Sequence, residues 1–185
     1  QVVALSTTQV PAMTTAQVSK LGTSQIAALE TQDLVKMTTT QIAALTTAQV
    51  QALTTTQVTN LTTDQTTALT GTQIGKLPTD QVVALTGDQV SKLTTTQVQA
   101  LTTSQVVALE TADLAQMTTT QVAALTTSQV RNLTTDQVVA LTGDQVSKLT
   151  SSQVQALTTS QVVALETADL AQMSTAQISA LTTTQ

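Results

Sequence analysis

The chain has 185 residues, contains no Phe, Trp, Tyr, Cys or His, and carries six basic against eleven acidic residues, for a formal net charge of −5. So few basic residues exclude the basic stripe with which a protein displaces counterions from nucleic-acid phosphates. Without His or Cys the chain also lacks the usual general bases and thiol nucleophiles, so we expect neither catalysis nor a bound cofactor.

An eight-residue unit, the octad, fills the chain without insertion or deletion. Each octad begins with Leu, or with Met in four cases, at every eighth position from Leu5 to Leu181. The second position is mostly Thr, the fifth is Gln in all but three octads, and the sixth is Val, Ile or Leu in all octads but one. Such unbroken periodicity predicts a repeat architecture. We expect a single continuous array over residues 1–185, with about 23 octads, that is a segment of a longer chain.

Each octad is predicted to form one short helix, but several of the first octads depart from the regular sequence pattern. Pro11 lies inside the predicted helix of its octad, where it removes a backbone donor, and we expect a local distortion there. Gly22 and Glu30 occupy the second position, where most octads have Thr. Where Glu or Pro occupies this position, we expect the helix cap to move one residue towards the C-terminus.

The octad LTTAQVQA that begins at Leu45 shows the regular pattern. Thr46 is the predicted N-cap and Gln49 the third helical residue. This is the arrangement of a capping box, in which the Thr hydroxyl accepts from the Gln N–H and the Gln side chain reaches back to the Thr N–H. Leu45 precedes the cap and Val50 is the fourth helical residue, so the pair forms a hydrophobic staple. We predict Leu45, Val50 and Leu53 as core residues, and Thr46 and Gln49 as capping residues.

The second half of the chain repeats itself on a longer scale. Residues 77–125 recur almost verbatim at 133–181, a shift of 56 residues or seven octads. Because seven is neither even nor a multiple of three, a duplication of this length would not preserve a two-faced or three-faced stack. We infer that the octads are interchangeable units related by one screw operation.

The octad that begins at Leu101 reads LTTSQVVA, and Leu109 follows it. We predict Leu101, Val106 and Leu109 as core, and Thr102 and Gln105 as capping residues. Over these nine residues the chain resembles the first helix of a TAL-effector repeat, which opens LTPEQVVAI. The second helix, the base-reading loop and the basic character of that family are missing, so the resemblance does not imply DNA binding.

Along its whole length the chain resembles the LTTxQVxA octad tracts of very large repetitive bacterial surface or secreted proteins, which are described as adhesin-like. The resemblance rests on the octad itself, which is unbroken from end to end. It implies an extracellular or cell-surface location in a bacterium, and a role as a stalk or passenger segment.

The predicted fold is an all-α solenoid of short capped helices, one per octad. Helices of this length are not stable alone, so each must bury its Leu, Val and Ala side chains against neighbouring octads. A β-solenoid is the alternative, because Val and Thr favour strands. The many Ala and Gln residues, the scarcity of Gly and Asn at corners and the capping box favour helices.

These features predict a structural rod that acts as a stalk, spacer or filament component, with sister rods as partners in lateral or end-to-end assembly. The alternative is a Thr-rich binding surface, because stacked octads would present columns of hydroxyls to glycans, ice or a second rod. No metal site is expected, since one carboxylate per octad, as at Asp80 and Asp88, is far short of the six to eight oxygens that Ca²⁺ prefers. No apolar run approaches the ~18 residues of a membrane-spanning helix, so no membrane insertion is expected.

Overall fold

The computed structural model describes residues 6–185, and every octad from Met13 to Ala180 contains one α-helix of four to six residues. The described residues contain no strand, so the predicted all-α solenoid is confirmed and the β-solenoid is excluded. None of these helices is long and apolar enough to cross a membrane. The helices are α1 (Thr15–Ser19), α2 (Thr23–Ala27), α3 (Thr31–Leu34), α4 (Thr39–Ala43), α5 (Thr47–Gln51), α6 (Thr55–Asn60), α7 (Thr63–Ala68), α8 (Gly71–Ile74), α9 (Thr79–Val83), α10 (Gly87–Lys92), α11 (Thr95–Ala100), α12 (Thr103–Ala108), α13 (Thr111–Gln116), α14 (Thr119–Ala124), α15 (Thr127–Asn132), α16 (Thr135–Val139), α17 (Gly143–Ser147), α18 (Ser151–Ala156), α19 (Thr159–Ala164), α20 (Thr167–Gln172) and α21 (Thr175–Ala180).

Two extended residues connect each helix of six residues to the next helix. Between α11 and α12, Leu101 has φ −58° and ψ 134°, and Thr102 has φ −70° and ψ 159°. No described residue has a positive φ, so the corners need neither Gly nor Asn. This geometry explains how a chain with only five Gly residues changes direction in every octad.

The helices stack in a solenoid whose turn contains between three and four octads. Each helix from α1 to α18 packs against the helix three further along the chain. Side-chain hydrogen bonds between turns join residues 25, 28 and 31 apart, as from Gln51 to Lys76 and from Gln49 to Leu21 and Val18. From the middle of this range, about 28 residues, we infer a pitch of about three and a half octads per turn.

This pitch gives the long repeat of the sequence a geometrical meaning. Two turns of about 28 residues contain seven octads, which is the length of the 56-residue duplication. Residues of the block 77–125 therefore lie on the same side of the rod as their copies in 133–181, two turns further on.

The core is a continuous column formed by the first and sixth positions of the octads. Val50 and Val106 are fully buried, while Leu45, Leu53, Leu101 and Leu109 are each 4% exposed. Full burial of such a side chain is worth about 1.5–3 kcal/mol, so the column is the main source of stability. Thr66 takes the sixth position of one octad, where its buried hydroxyl donates to the Thr62 carbonyl at 3.1 Å.

The irregular octads keep the same register as the others. The helices that follow Glu30, Pro78, Glu110 and Glu166 begin at Thr31, Thr79, Thr111 and Thr167, with the Glu or Pro itself as N-cap. The expectation that the cap moves by one residue is therefore wrong. A shift would carry the buried residues of the first and sixth positions off the core column, at a cost greater than the roughly 1 kcal/mol of a cap.

The octad of Pro11 is distorted, as its sequence predicts. A 3-10 helix, Val10–Ala12, takes the place of the α-helix found in later octads, with Pro11 in its first turn. Val10 nevertheless remains fully buried at the sixth position. The local backbone changes while the core column continues.

Candidate functional site

The start of each regular helix is closed by a capping box. Thr46 donates its N–H to Gln49 Oε1 at 2.7 Å, and the Gln49 N–H donates to Thr46 Oγ1 at 3.2 Å. Thr102 and Gln105 make the same two bonds at 2.7 and 3.2 Å. Loss of a Thr cap costs about 1 kcal/mol, so the box contributes in every octad where it occurs.

The same Gln side chain also binds the end of a helix in the previous turn. Gln49 Nε2 donates to Val18 O at 2.8 Å and to Leu21 O at 2.7 Å, both at the C-terminal end of α1. Gln105 Nε2 donates in the same way to Ile74 O at 2.9 Å and Leu77 O at 2.7 Å, at the end of α8. One side chain thus caps the N-terminus of its own helix and the C-terminus of a helix four octads earlier.

We call this repeated set of cross-turn bonds the glutamine ladder. Each member donates Nε2 to backbone carbonyls 28 and either 30 or 31 residues earlier. The members are Gln41, Gln49, Gln57, Gln65, Gln73, Gln81, Gln89, Gln97, Gln105, Gln121, Gln129, Gln137, Gln145, Gln153, Gln161, Gln177 and Gln185.

The ladder solves the main problem of a protein built from very short helices. The last four carbonyls of any helix lack partners within that helix. In a helix of six residues, these are most of its carbonyls. A buried carbonyl without a partner costs about 1–3 kcal/mol. Because Gln49 and Gln105 are each only 2% exposed, their amides meet this need inside the rod, where water does not.

Sequence reasoning assigned these Gln residues to capping alone and missed their second role. A capping box accepts Glu as readily as Gln at its third helical position, yet no octad has Glu there. Only the amide has N–H groups to donate to a carbonyl. The absence of Glu was thus the signal for a second, donating role.

Three octads interrupt the ladder by combining Glu at the second position with Asp at the fifth. They contain Glu30 with Asp33, Glu110 with Asp113, and Glu166 with Asp169. In the octad of Asp113 the Glu110 side chain makes no cap bond. Burial raises the pKa of the Asp113 carboxyl above its ordinary value of 3.8, and the nearby Glu110 carboxylate raises it further. An ionised Asp cannot donate, so this octad lacks the amide with which a Gln would bond to carbonyls of the previous turn.

The outer surface of the rod carries many Thr hydroxyls. Thr39, Thr40, Thr95 and Thr96, at the third and fourth positions, are exposed. A shallow depression beside Lys148 is lined by threonines and is open to solvent. Across residues 6–185, no group of three or more His, Cys, Asp or Glu side chains is placed to hold a metal ion.

Stacked capped helices, a continuous apolar column and a cross-turn ladder define a helical solenoid of the repeat-protein class. The model of the ALTTAQ repeat matches residues 1–31, 26–63, 106–143 and 162–185, more than half of the chain. The chain belongs to the ALTTAQ repeat family. No match to a curated protein was found.

Proposed function

We propose that the chain is a rigid spacer, which sets the distance between whatever is attached at its two ends as a stalk or filament segment. The observation that carries this proposal is the glutamine ladder. Each turn is bonded to the previous one by buried amides, so the rod resists both bending and separation of its turns. Its function is mechanical, and catalysis has no part in it.

Length is then set by the number of octads. Packed helices lie 8–10 Å apart, so each turn of about 28 residues adds roughly that distance along the axis. Seven octads complete two turns. A duplication such as that of 77–125 therefore lengthens the rod, and equivalent residues still point in the same direction around its axis. This supports the interpretation of the repeat as a length-adjusting device.

We place this spacer on the surface of a bacterium or in its secreted material. The support is the resemblance of the octads to the tracts of large adhesin-like surface proteins. A chain without Cys needs no oxidising compartment to fold, and it forms no disulfide in one.

The spacer role is tested by lengthening the array. A variant with one additional copy of residues 77–132 is compared with the original chain by small-angle X-ray scattering and circular dichroism. The maximum dimension should rise by about 16–20 Å, two helix-packing distances, with the same helical signal per residue. An unchanged maximum dimension, or a loss of helical signal per residue, would disprove a continuous rod.

The exposed hydroxyls of the third and fourth positions favour a second candidate, a Thr-rich binding surface for glycans or ice. Thr95 and Thr96 are examples of hydroxyls left outside the capping boxes. A thermal-hysteresis assay and a carbohydrate-binding assay test it. A spacer predicts neither ice shaping nor saturable sugar binding.

A further inference from the structure

The pitch of the solenoid sorts the octads into columns along the rod. Because one turn takes three and a half octads, a line parallel to the axis meets octads that are alternately three and four apart. Direct contacts join such octads. Helices three apart pack together, as α8 with α11 and α10 with α13, and ladder bonds join octads four apart, as from Gln129 to Val98 and from Gln145 to Leu114.

We name two of these columns and give each octad by its first residue. The basic column contains the octads that begin at Met13, Met37, Leu69, Leu93, Leu125, Leu149 and Leu181. The acidic column contains the octads that begin at Leu29, Leu53, Leu85, Leu109, Leu141 and Leu165. Each octad of the acidic column begins 16 residues, or two octads, after one of the basic column. At three and a half octads per turn this is about half a turn, so the columns lie on different sides of the rod.

The charges of the chain are segregated between these columns. The basic column has three positive charges and no acidic residue: Lys20, Lys76 and Arg131. The acidic column holds eight of the eleven acidic residues: Glu30, Asp33, Asp88, Glu110, Asp113, Asp144, Glu166 and Asp169. Three Lys residues of the acidic column reduce its net charge to −5: Lys36, Lys92 and Lys148.

Both columns present exposed charges to a partner, although Asp33 and Asp169 of the acidic column are buried. Lys76 and Arg131 are exposed, as are Glu110 and Glu166. Between its charges the basic column presents uncharged hydroxyls, as at Thr95. An approaching acidic surface therefore meets no repulsion there.

We propose that the rods associate side by side, with the acidic column of one copy against the basic column of a second copy. Lys76 and Arg131 are 55 residues apart and Glu110 and Glu166 are 56 apart, so both sets repeat every two turns. The partner with the matching sign and the matching axial spacing is another copy of this chain. Several pairs then engage together in one register.

The many weak contacts of this interface act in combination. One exposed ion pair contributes only about 0–1 kcal/mol, but pairs held on two rigid rods bind with a high effective concentration after the first has formed. Because each rod has one column of each kind on different sides, association of this type does not close on itself and continues laterally. The proposal rests on the pitch and the charges, and not on the role as a spacer.

Sedimentation at low salt and at about 1 M salt, where the Debye length falls to about 3 Å, tests the pairing. The original chain should sediment above its monomer mass of 19.1 kDa at low salt and at that mass at high salt. The double variants Lys76→Glu/Arg131→Glu and Glu110→Lys/Glu166→Lys should each remain monomeric at low salt. An equimolar mixture of the two should associate again, because positions 76, 110, 131 and 166 are then all acidic in one variant and all basic in the other.

The matched control reverses two acidic charges that lie outside both columns. The double variant Asp80→Lys/Asp136→Lys should associate as the original chain does, and circular dichroism should show the same helical content in all variants. A monomeric original chain at low salt would overturn the proposal, as would a mixture that stays monomeric. Neither result would affect the length measurement that tests the spacer.

Discussion

Gln81 Oε1 is buried without a hydrogen-bond partner because the residue three positions earlier is Pro78. In the other ladder octads this oxygen accepts from the N–H of the N-cap, as Gln105 Oε1 does from Thr102 at 2.7 Å. Proline has no N–H to donate. Gln81 Nε2 still bonds to Val50 O at 3.2 Å and to Leu53 O, so the ladder continues across the octad while the capping box is lost.

Replacing Pro78 with Thr should therefore stabilise the protein by about 1–3 kcal/mol. The change restores a partner to a buried oxygen, worth about 1–3 kcal/mol, and adds a Thr cap of about 1 kcal/mol. Against this stands the loss of proline's restriction of the unfolded chain, about 0.4–1 kcal/mol. The urea midpoint should rise for Pro78→Thr and fall for the converse variant Thr102→Pro. An unchanged or lower midpoint for Pro78→Thr would contradict the account.

Replacing Gln105 with Ala should destabilise the protein by about 2–6 kcal/mol. It leaves the Thr102 N–H and the Leu77 carbonyl without a partner, and each orphaned group costs about 1–3 kcal/mol. The Ile74 carbonyl loses one donor and keeps the Leu77 N–H. Gln99→Ala is the matched control, because Gln99 is exposed and such substitutions change stability by no more than about 0.5 kcal/mol. Chemical unfolding measures both. Equal losses for Gln105→Ala and Gln99→Ala would show that the ladder does not hold the turns together.

Replacing Asp113 with Gln should stabilise the protein near neutral pH, by about 1 kcal/mol for the restored hydrogen bonds. The raised pKa of Asp113 means that the folded state holds its proton more tightly than the unfolded state. The resulting contribution to stability is present below the ordinary value of 3.8 and is lost as pH rises through the raised pKa. The advantage of Asp113→Gln should therefore grow as pH rises out of the acid range. Unfolding measured across that range checks this, and an advantage independent of pH would refute it.

Replacing Gly75 with Ala should destabilise the packing of α8 against α11. A Cβ at Gly75 would lie 2.6 Å from the Ala100 carbonyl oxygen, which is backbone and cannot move aside. Such overpacking costs about 1–3 kcal/mol. Gly87→Ala is the comparison, because its Cβ would meet the end of the Gln116 side chain, which is flexible and can swing outwards. Amide exchange in α8 should rise for Gly75→Ala only.

Interactions within one octad were accessible to sequence reasoning. The hydroxyl of Thr46, the amide of Gln49 and the staple of Leu45 with Val50 all lie within six residues, so their spacing alone predicted a capped helix and its buried side. Their register even holds where the cap is Pro78 or Glu, which local capping rules did not foresee. Burial of the core column outweighs the cap at those places.

The sequence by itself determined the short helix, its phase and the residues that must be hidden from water, because those depend on neighbours a few positions away. Tertiary structure alone decided which octads meet, and with them the partners of Gln Nε2 and the sorting of charges into columns. These relationships span 24 to 32 residues between nearly identical octads. No single octad contains the information that selects one neighbour over another, and the choice is made by the stacking that brings helix-end carbonyls to the glutamine amides of the next turn.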